Sequence, residues 1–513
     1  VHFPSGAMGR PPDALPLWGI GLFATMSRFI GETIWRAAMG ERVHDAVFWR
    51  ATAALCLVLA TSSFMNISAF PLFDHVFTYA RDISVLVNAA CLVAVALVAS
   101  FRSPSLDSRV INIAAIVLLA AGSLDIAASF AIQSPWLLVV SSCVVSAARG
   151  WVSVVIGVSL SRFSIPVIAQ IVTLAFLGNC AFGYVAWLFP ASIGLLAFFA
   201  APIAALLLAH SIAKPVLAEV LASDSPADIA ITQPSSFLAL GSQLFVCLFF
   251  FRVAFGFSLR FGEVNGAPLG DFFSIVPVGV LAIATIASSG KLMKSDLLAQ
   301  VSVLFVLAGF FAATISASWA YAASASLLSC GNALFDVVGW VVLAAVGTRN
   351  VRASVATIAW GRGVSALGSI VGAAIGVWAS AASLTHPVAV QLATGGLVLG
   401  FAAYALIGLK NFSFIDTIKG VTKVVDIRSA NIEEASRVTL EQACSAIAHR
   451  ASLTPREREV FEMLARGRDS FYIQEQLTVS RNTVKAHVKH IYAKLDIHTH
   501  QELLDIVELE MAS

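Results

Sequence analysis

The segment Ser480–Leu495 reads SRNTVKAHVKHIYAKL, and its apolar residues recur with the period of an α-helix. Four of them predict one buried helix face: Val484, Val488, Ile491 and Leu495. The basic residues fall on the opposite face: Arg481, Lys485, Lys489 and Lys494. Ser480 is a favourable N-cap, because its hydroxyl can accept a hydrogen bond from a free backbone N–H. The segment therefore predicts a helix that packs by one side and presents positive charge on the other.

The residues around this helix predict a four-helix unit. Thr454 opens a capping-box pattern with Pro455 and Glu457 that starts a helix, and Gly467 ends that helix. The other helices are predicted over 470–477, 481–495 and 500–509. The inward side chains of the first two helices are Val460, Phe461, Leu464, Ile473 and Leu477. A short helix, a tight turn and a helix with one basic face are typical of a helix-turn-helix.

Over 452–508 the sequence resembles the LuxR-type (LuxR/FixJ/NarL) DNA-binding domain. The likeness rests on LTPREREV at 453–460, the turn at Gly467 and the whole segment 480–495. It implies that the third helix enters the major groove of double-stranded DNA. It implies base contacts from Lys485, Ala486 and Lys489, and phosphate or flanking-base contacts from Arg481, Asn482, Thr483 and His490. A helical protein-interaction module is the alternative interpretation.

Two positions depart from that family's pattern. The scaffold helix reads SFYIQ over 470–474, where the family usually has Asn-Lys-Glu-Ile-Ala, and His500 stands in place of an arginine. Residues 452–513 hold eight Lys and Arg against ten Asp and Glu, so the unit is not basic overall. Because one such domain offers few phosphate and base contacts, we expect a homodimer on an operator with two half-sites.

The rest of the chain has the composition of a membrane protein. Hydrophobic residues make up 58% of the 513 residues and charged residues 12%, whereas soluble proteins carry about 25% charged residues. Runs of about 20 apolar residues can span a lipid bilayer. Twelve such runs cover 48–70, 81–101, 110–131, 135–160, 166–189, 191–211, 236–257, 269–288, 296–316, 318–346, 353–380 and 387–409. A further run, 15–35, is interpreted as interfacial, with a thirteenth span as the alternative.

Basic residues in the connections between these runs predict the orientation, since they stay on the cytoplasmic side during insertion. Alternate connections carry eight of them: Arg102, Arg109, Arg162, Lys214, Lys291, Lys294, Arg349 and Arg352. The intervening connections carry only Arg81 and Arg260. We therefore expect a multi-pass protein of the bacterial inner membrane with its C-terminus in the cytoplasm.

The polar stretch 212–235 divides the runs into six and six, and this layout resembles major-facilitator-type proteins. That family has a Gly-x-x-x-Asp-Arg-type loop between its second and third helices. Here the loop reads FRSPSLDSRV over 101–110 and lacks the glycine, which argues against active transport. A different glycine pattern, at Gly368, Gly372 and Gly376, predicts a ridge that another helix can approach closely.

Five charged residues fall inside predicted spans: Asp125, Arg149, Arg252, Asp336 and Arg362. Such residues are costly in a bilayer and usually face the interior of a helix bundle. Asp125 could pair with Arg149, and Asp336 with Arg252 or Arg362. One interpretation is ion pairs that hold helices together. The other is a ligand cavity, in which the surplus arginine favours a bound anion.

The predicted all-α chain thus has six segments. They are an N-terminal extension (1–47), a first six-helix half (48–211), a cytoplasmic loop (212–235), a second six-helix half (236–409), a linker (410–451) and a LuxR-type helix-turn-helix domain (452–513). An imperfect helical stripe over 429–449 could carry motion between the domains, form a dimer contact or be a solvated connector. The seven cysteines lack metal-ligand spacing, and we expect no cofactor, no metal site and no enzymatic activity.

The leading functional hypothesis is a one-component sensor. A small molecule, of unknown identity, would bind the membrane domain and shift its conformational equilibrium, and the tail would bind operator DNA. The alternative hypotheses are a major-facilitator-type transporter with a regulatory DNA-binding tail and a passive membrane anchor.

Overall fold

The computed structural model describes residues 46–101, 108–188, 190–222, 238–264, 271–288, 295–315, 318–382, 387–410, 412–421, 440–468 and 470–512. Within these ranges every regular element is helical, which confirms the predicted all-α class. The chain divides into two compact units, Val1–Lys423 and Val424–Ser513, and each is described by itself. The predicted thirteenth apolar run, 15–35, lies outside the described residues.

The first unit is a bundle of long apolar helices. They are α1 (Ala46–Phe64), α2 (Ala80–Phe101), α3 (Ser108–Ile132), α4 (Pro135–Leu160), α5 (Ile165–Leu188), α6 (Ala191–Ala222), α7 (Gln243–Val264), α8 (Asp271–Ala287), α9 (Ser295–Ala313), α10 (Ser318–Arg349), α11 (Ser354–Ala382) and α12 (Pro387–Ala403). A π-helical turn, Met65–Ala69, extends α1 to Asp74, and Tyr404–Gly408 extends α12 in the same way. A short helix, α13 (Phe414–Gly420), follows.

Eleven helices in the described residues are long and apolar enough to cross a membrane, so the protein is a multi-pass membrane protein. A helix lies over each of the twelve predicted runs. The helix that does not meet the length requirement is α8, whose apolar part is Ser274–Ala287. Even the whole helix, with 17 residues, extends only about 26 Å at 1.5 Å per residue, less than the roughly 30 Å of a bilayer core.

The predicted glycine ridge brings two helices of the second half together. A β-carbon at Gly372 of α11 would overlap the carbonyl oxygen of Val253 in α7, and one at Gly368 would overlap that of Phe249. In return, a β-carbon at Gly256 of α7 would overlap the carbonyl of Ser369. The two backbones therefore touch, as the four-residue spacing of the glycines predicts.

Small residues also close the bundle where α4 and α10 end and α11 begins, which we call the Arg349 end. A β-carbon at Gly157 of α4 would lie 2.6 Å from Ile358 of α11. Ser161 lies against Gly347 of α10, and its hydroxyl donates to the carbonyl oxygen of Ala344 over 3.5 Å. These contacts join the first six helices to the second six. The opposite end of the bundle, where α1 finishes at Asp74, we call the Asp74 end.

The second unit has its own apolar core. Its helices are α14 (440–450), α15 (Pro455–Ala465), α16 (Ser470–Leu477), α17 (Arg481–Leu495) and α18 (His500–Ala512). All the inward residues predicted for α15 to α17 lie in or against this core. Cys444 and Ile447 of α14 are buried in the same cluster, so the core includes a helix that falls within the predicted linker.

The contact between α7 and α11 makes a testable prediction. Gly372→Ala should lower the stability of the membrane unit by about 1–3 kcal/mol, because the added methyl meets backbone atoms that cannot rotate away. The melting temperature of the full chain in a neutral detergent measures this effect. Gly395→Ala on α12 is the matched control, since its β-carbon would meet no described atom within 4 Å. Equal melting temperatures for the two variants would contradict the close contact.

Candidate DNA-binding surface and membrane cavity

The first turn of α17 is capped by the side chain of the residue that precedes it, Ser480. The backbone N–H of Thr483 donates to the Ser480 hydroxyl over 3.2 Å, so the predicted N-cap forms. Val484 and Ile491 are buried and Val488 is half-buried, which fixes the rotation of the helix against α15 and α16. The opposite side of α17 is therefore turned outward by packing.

The side chains assigned to DNA contact all lie on that outward side. Each of the seven is exposed: Arg481, Asn482, Thr483, Lys485, Ala486, Lys489 and His490. Among the described residues, no carboxylate lies within salt-bridge distance of Arg481, Lys485 or Lys489. Their charge is available to an external polyanion, the electrostatic requirement for contact with a phosphate backbone.

Lys494 differs from the other three basic residues predicted on this face. Its ammonium group donates to the Glu457 carboxylate over 2.7 Å and to the carbonyl oxygen of Ser452 over 3.0 Å. All four are exposed as predicted, but three rather than four have no carboxylate partner among the described residues. The sequence pattern could not separate them, because the partner carboxylate comes from α15, which is distant in sequence.

Glu457 joins the start of α15 to the end of α17. The predicted capping box is present, since the Thr454 N–H donates to the Glu457 carboxylate over 2.8 Å while Glu457 N–H donates to the Thr454 hydroxyl. The side chain is only 6% exposed. The hydrogen bond from Lys494, followed by that from the Thr454 backbone, lowers the pKa of Glu457 from 4.5 to about 2. A buried carboxylate thereby sets the position of the outward helix.

The two departures from the LuxR pattern make contacts of their own. His500 begins α18, and its Nε2 lies 2.9 Å from the carbonyl oxygen of Leu464 near the end of α15. Tyr472 of α16 lies beneath the guanidinium of Arg468, at 4.9 Å from the ring centroid. Both residues therefore make contacts within the scaffold around α17, and neither lies on the outward face of α17.

The membrane unit contains a cavity of about 510 Å³ between its two halves. Helices α1, α2, α4 and α6 line it from the first half, and α7 and α11 line it from the second. A cavity of this size can hold a small organic molecule. Its wall is mixed, with aliphatic and aromatic side chains beside five arginines: Arg81, Arg149, Arg252, Arg260 and Arg362.

The charged residues predicted inside spans are arranged only partly as expected. Arg252 pairs with Asp336 at 2.7 Å, one of the two pairings proposed for that aspartate. The proposed pair of Asp125 and Arg149 is wrong, because Asp125 lies on an exposed face of α3 and does not line the cavity. Spacing along two helices could not reveal which face of α3 is exposed.

Arg149 and Arg362 line the cavity, and their described contacts are with a thioether and with aromatic rings. One Arg149 nitrogen donates to the thioether of Met65 over 2.9 Å, and its guanidinium lies 5.2 Å from the Phe198 ring centroid. The Arg362 guanidinium lies 4.7 Å from the ring centroid of Trp340. Within the described ranges, no carboxylate lies within 4 Å of either arginine.

Two cavity arginines were missed by the sequence analysis, which assigned them to loops. Arg81 belongs to the first turn of α2, is 4% exposed and lies over the Phe70 ring. Arg260 belongs to the last turns of α7 and lies 3.8 Å from Asp82. Both lie within about one turn of a helix end, where hydropathy does not distinguish a loop residue from one that lines a cavity.

Comparison with known proteins assigns the C-terminal domain. Residues 451–507 match the family described as bacterial regulatory proteins, luxR family. The chain is 39% identical over 67 residues to a protein of Aeromonas salmonicida named as an HTH-type transcriptional regulator in the exeN 3′ region. That match covers 13% of this chain and spans about a third (34%) of the relative's length. The chain therefore carries a LuxR-type helix-turn-helix domain at its C-terminus.

The membrane unit is similar to solved transporters. The human organic anion transporter MFSD10 (TETRAN) aligns with 73% of this chain and 99% of its own, at 11% identity and a TM-score of 0.46. The Escherichia coli fucose:proton symporter FucP aligns with 74% of this chain and 98% of its own, at 10% identity and a TM-score of 0.47. The proton:xylose symporter XylE of the major facilitator superfamily aligns with 70% and 94%, at 12% identity and a TM-score of 0.47.

Glu457 predicts how the stability of the second unit depends on pH. Its pKa is lower in the folded than in the unfolded chain, so it contributes full stability above about pH 5 and progressively less as the pH falls towards 2. Glu457→Gln in isolated 424–513 should lower the free energy of unfolding by about 1–2 kcal/mol at pH 7. It should also flatten the loss between pH 5 and 2. Urea unfolding at several pH values measures both effects.

The control for this variant is Glu459→Gln, which removes an exposed carboxylate paired with Arg456 in the same helix. Surface pairs of this kind contribute little, so its pH profile should follow the wild type. Parallel profiles for the Glu457 variant and the wild type would show that this carboxylate has no special role.

Proposed function

We propose that the protein is a membrane-embedded one-component transcriptional regulator. Its membrane unit would sense a small molecule, and its C-terminal domain would bind operator DNA to control transcription. The observation that carries this proposal is the exposed, cationic face of α17 on a LuxR-type domain, in the same chain as eleven helices able to cross a membrane. A DNA-binding domain on a membrane protein can reach its target only from the cytoplasm.

The distribution of basic residues supports an orientation with the C-terminus in the cytoplasm. The connections at the Arg349 end carry eight of the ten basic residues counted between spans. The other two, Arg81 and Arg260, line the cavity near the Asp74 end, so the count of basic residues is eight against two. The Arg349 end would then face the cytoplasm and the Asp74 end the opposite side. Among bacterial membranes, the inner one would offer this access to DNA.

The DNA contacts would come from the N-terminal half of α17, as in other helix-turn-helix domains. Lys485, Ala486 and Lys489 would face base edges in the major groove. Phosphates or flanking bases would be contacted by Arg481, Asn482, Thr483 and His490. Because one domain offers few contacts, two copies on a two-half-site operator would supply the affinity and the specificity.

A contact at the Arg349 end supports coupling between membrane unit and tail. Asp296, in the first turn of α9, accepts hydrogen bonds from the Phe414 backbone N–H over 2.6 Å and from the Ser413 hydroxyl over 2.9 Å. It thereby ties α9 to the start of α13, the last described helix before the chain continues to the DNA-binding domain. A ligand that moved α9 would also move α13.

The cavity between the two halves also favours the alternative, a major-facilitator-type transporter with a regulatory tail. The loop over 101–110 lacks the glycine of the transporter signature, which favours the sensor. Ligand accumulation by cells or proteoliposomes separates the two, because a sensor moves no net substrate.

The DNA-binding proposal predicts different effects for basic residues on and off α17. With 424–513 and duplexes enriched from a random library, Lys485→Gln or Lys489→Gln should lose about 1–3 kcal/mol of discrimination for each base contact removed. Arg481→Gln should lower the slope of log affinity against log salt by about one for a lost phosphate contact. Fluorescence anisotropy over a series of salt concentrations measures both quantities.

Arg466→Gln is the matched control, since it removes one positive charge that pairs with Glu441 and lies off α17. It should leave affinity and salt slope nearly unchanged. The DNA-binding assignment fails if the wild-type domain, including an artificially dimerised form, enriches no duplex at low salt.

The coupling role of Asp296 is tested separately. Asp296→Asn should weaken both hydrogen bonds to the start of α13, because bonds to a charged acceptor are worth about 1.5–3 kcal/mol each. Target genes found by transcript profiling of a deletion strain should then respond at least about fivefold less. Asp416→Asn, an exposed carboxylate in α13, is the control. An unchanged transcriptional response in the Asp296 variant would exclude this route of coupling.

A further inference from the structure

Five arginines line the membrane cavity, and two of them, Arg149 and Arg362, have no carboxylate within 4 Å among the described residues. By contrast, Arg252 lies 2.7 Å from Asp336 and Arg260 lies 3.8 Å from Asp82. A guanidinium stays protonated in proteins, so the charge of Arg149 and Arg362 cannot be relieved by losing protons. Charges in a low-dielectric interior require a partner.

Arg149 and Arg362 are the arginines whose charge is least compensated. Their described contacts are a thioether, the Phe198 ring and the Trp340 ring, which are weak partners for a buried cation. Arg149 comes from the first half of the bundle and Arg362 from the second. A guanidinium binds an oxyanion through two parallel N–H donors, the strongest arrangement available to this side chain.

The rest of the cavity wall suits an apolar molecule. Leu92 and Val58 lie on the first-half side, and Phe255, Ile370 and Val377 lie on the second-half side. An inorganic ion would leave these side chains against empty space or water. A ligand that combined one oxyanion with an apolar body would use both parts of the wall.

The cavity extends from the middle of the bundle to its Asp74 end. Its lining residues in α1 run from Val58 to Phe70, those in α2 from Arg81 to Leu92, and those in α7 from Arg252 to Arg260. These stretches lie next to the connections that follow α1 and α7. At the Arg349 end, the contact of Gly157 with Ile358 holds the two halves together.

We propose that this cavity binds an organic oxyanion with an apolar body, a carboxylate, sulfonate or phosphate ester, and that the ligand enters from the non-cytoplasmic side. Arg149 and Arg362 bind the oxyanion from opposite halves, so occupancy changes how the halves pack. The ligand class rests on the cavity alone, whereas its direction of entry and its effect on transcription rest on the proposed function.

The first test measures binding to the full chain in dodecyl maltoside by calorimetry, with 2-naphthoate as the anionic probe and 2-naphthamide as its neutral isostere. The carboxylate should bind at least about tenfold more tightly than the amide, the factor expected for one hydrogen bond to a charged group. Arg149→Gln and Arg362→Gln should each abolish that preference. Arg162→Gln, an exposed arginine between α4 and α5, should retain it.

The amide affinity of each variant shows whether its cavity is intact. If either glutamine variant does not fold, Arg149→Lys and Arg362→Lys replace it, and the loss of paired donors should still reduce the preference. Equal binding of the two probes to the wild type, or an unchanged preference in the variants, overturns the proposal. So does displacement of 2-naphthoate by inorganic phosphate at equal concentration, since the site would then be for an inorganic ion.

The second test addresses the direction of entry. Val377→Cys places a thiol in the cavity wall on α11. In intact spheroplasts, a membrane-impermeant maleimide should label this variant above the wild type, and 2-naphthoate should protect it. Labelling only after the membrane is opened overturns entry from the non-cytoplasmic side. Because neither test reads transcription, an anion that binds without changing target transcripts would refute the sensor while leaving the site established.

Discussion

A chain that crosses a bilayer must satisfy its own polar groups, because hydrocarbon offers neither donors nor acceptors. The backbone meets this requirement by forming helices over the apolar segments. Side-chain charges meet it less completely. Asp336 compensates Arg252 at 2.7 Å, whereas Arg149 and Arg362 face the cavity and, among the described residues, contact a thioether and aromatic rings. This incomplete compensation is what makes the cavity a candidate site rather than a packing defect.

The same constraint explains how the two halves of the membrane unit are joined. Lipid does not drive apolar helices together, so association depends on close packing. Gly372 lets α11 touch α7 within one half, and Gly157 and Gly347 allow contact between halves at the Arg349 end. The cavity extends from the middle of the bundle to the other end. The bundle is thus closed on the side proposed to face the cytoplasm, and an event in the cavity could alter that closure.

In the DNA-binding domain a buried carboxylate has the organising role. Glu457 caps α15 and also holds Lys494, so one side chain positions two helices. Lys494 is thereby paired within the domain, whereas Lys485 and Lys489 have no carboxylate within salt-bridge distance among the described residues. Asp296 has a comparable role in the membrane unit, where its carboxylate accepts a hydrogen bond from the backbone N–H of Phe414 at the start of α13. In each case, a carboxylate at the beginning of one helix fixes a second helix.

Sequence alone determined the helical spans, the LuxR-type domain, its capping box and the outward residues of α17, because these depend on local periodicity and on hydrogen bonds within a few residues. The sequence alone could not determine which residues on distant helices pair with each other. The spacing of Asp125 and Arg149 is compatible with an ion pair, yet packing turns Asp125 to the exposed face of α3. Likewise, Arg81 and Arg260 look like loop residues in sequence but line the cavity. Only tertiary structure decides which charges meet, since a helix periodicity specifies a face and not the neighbour against which that face packs.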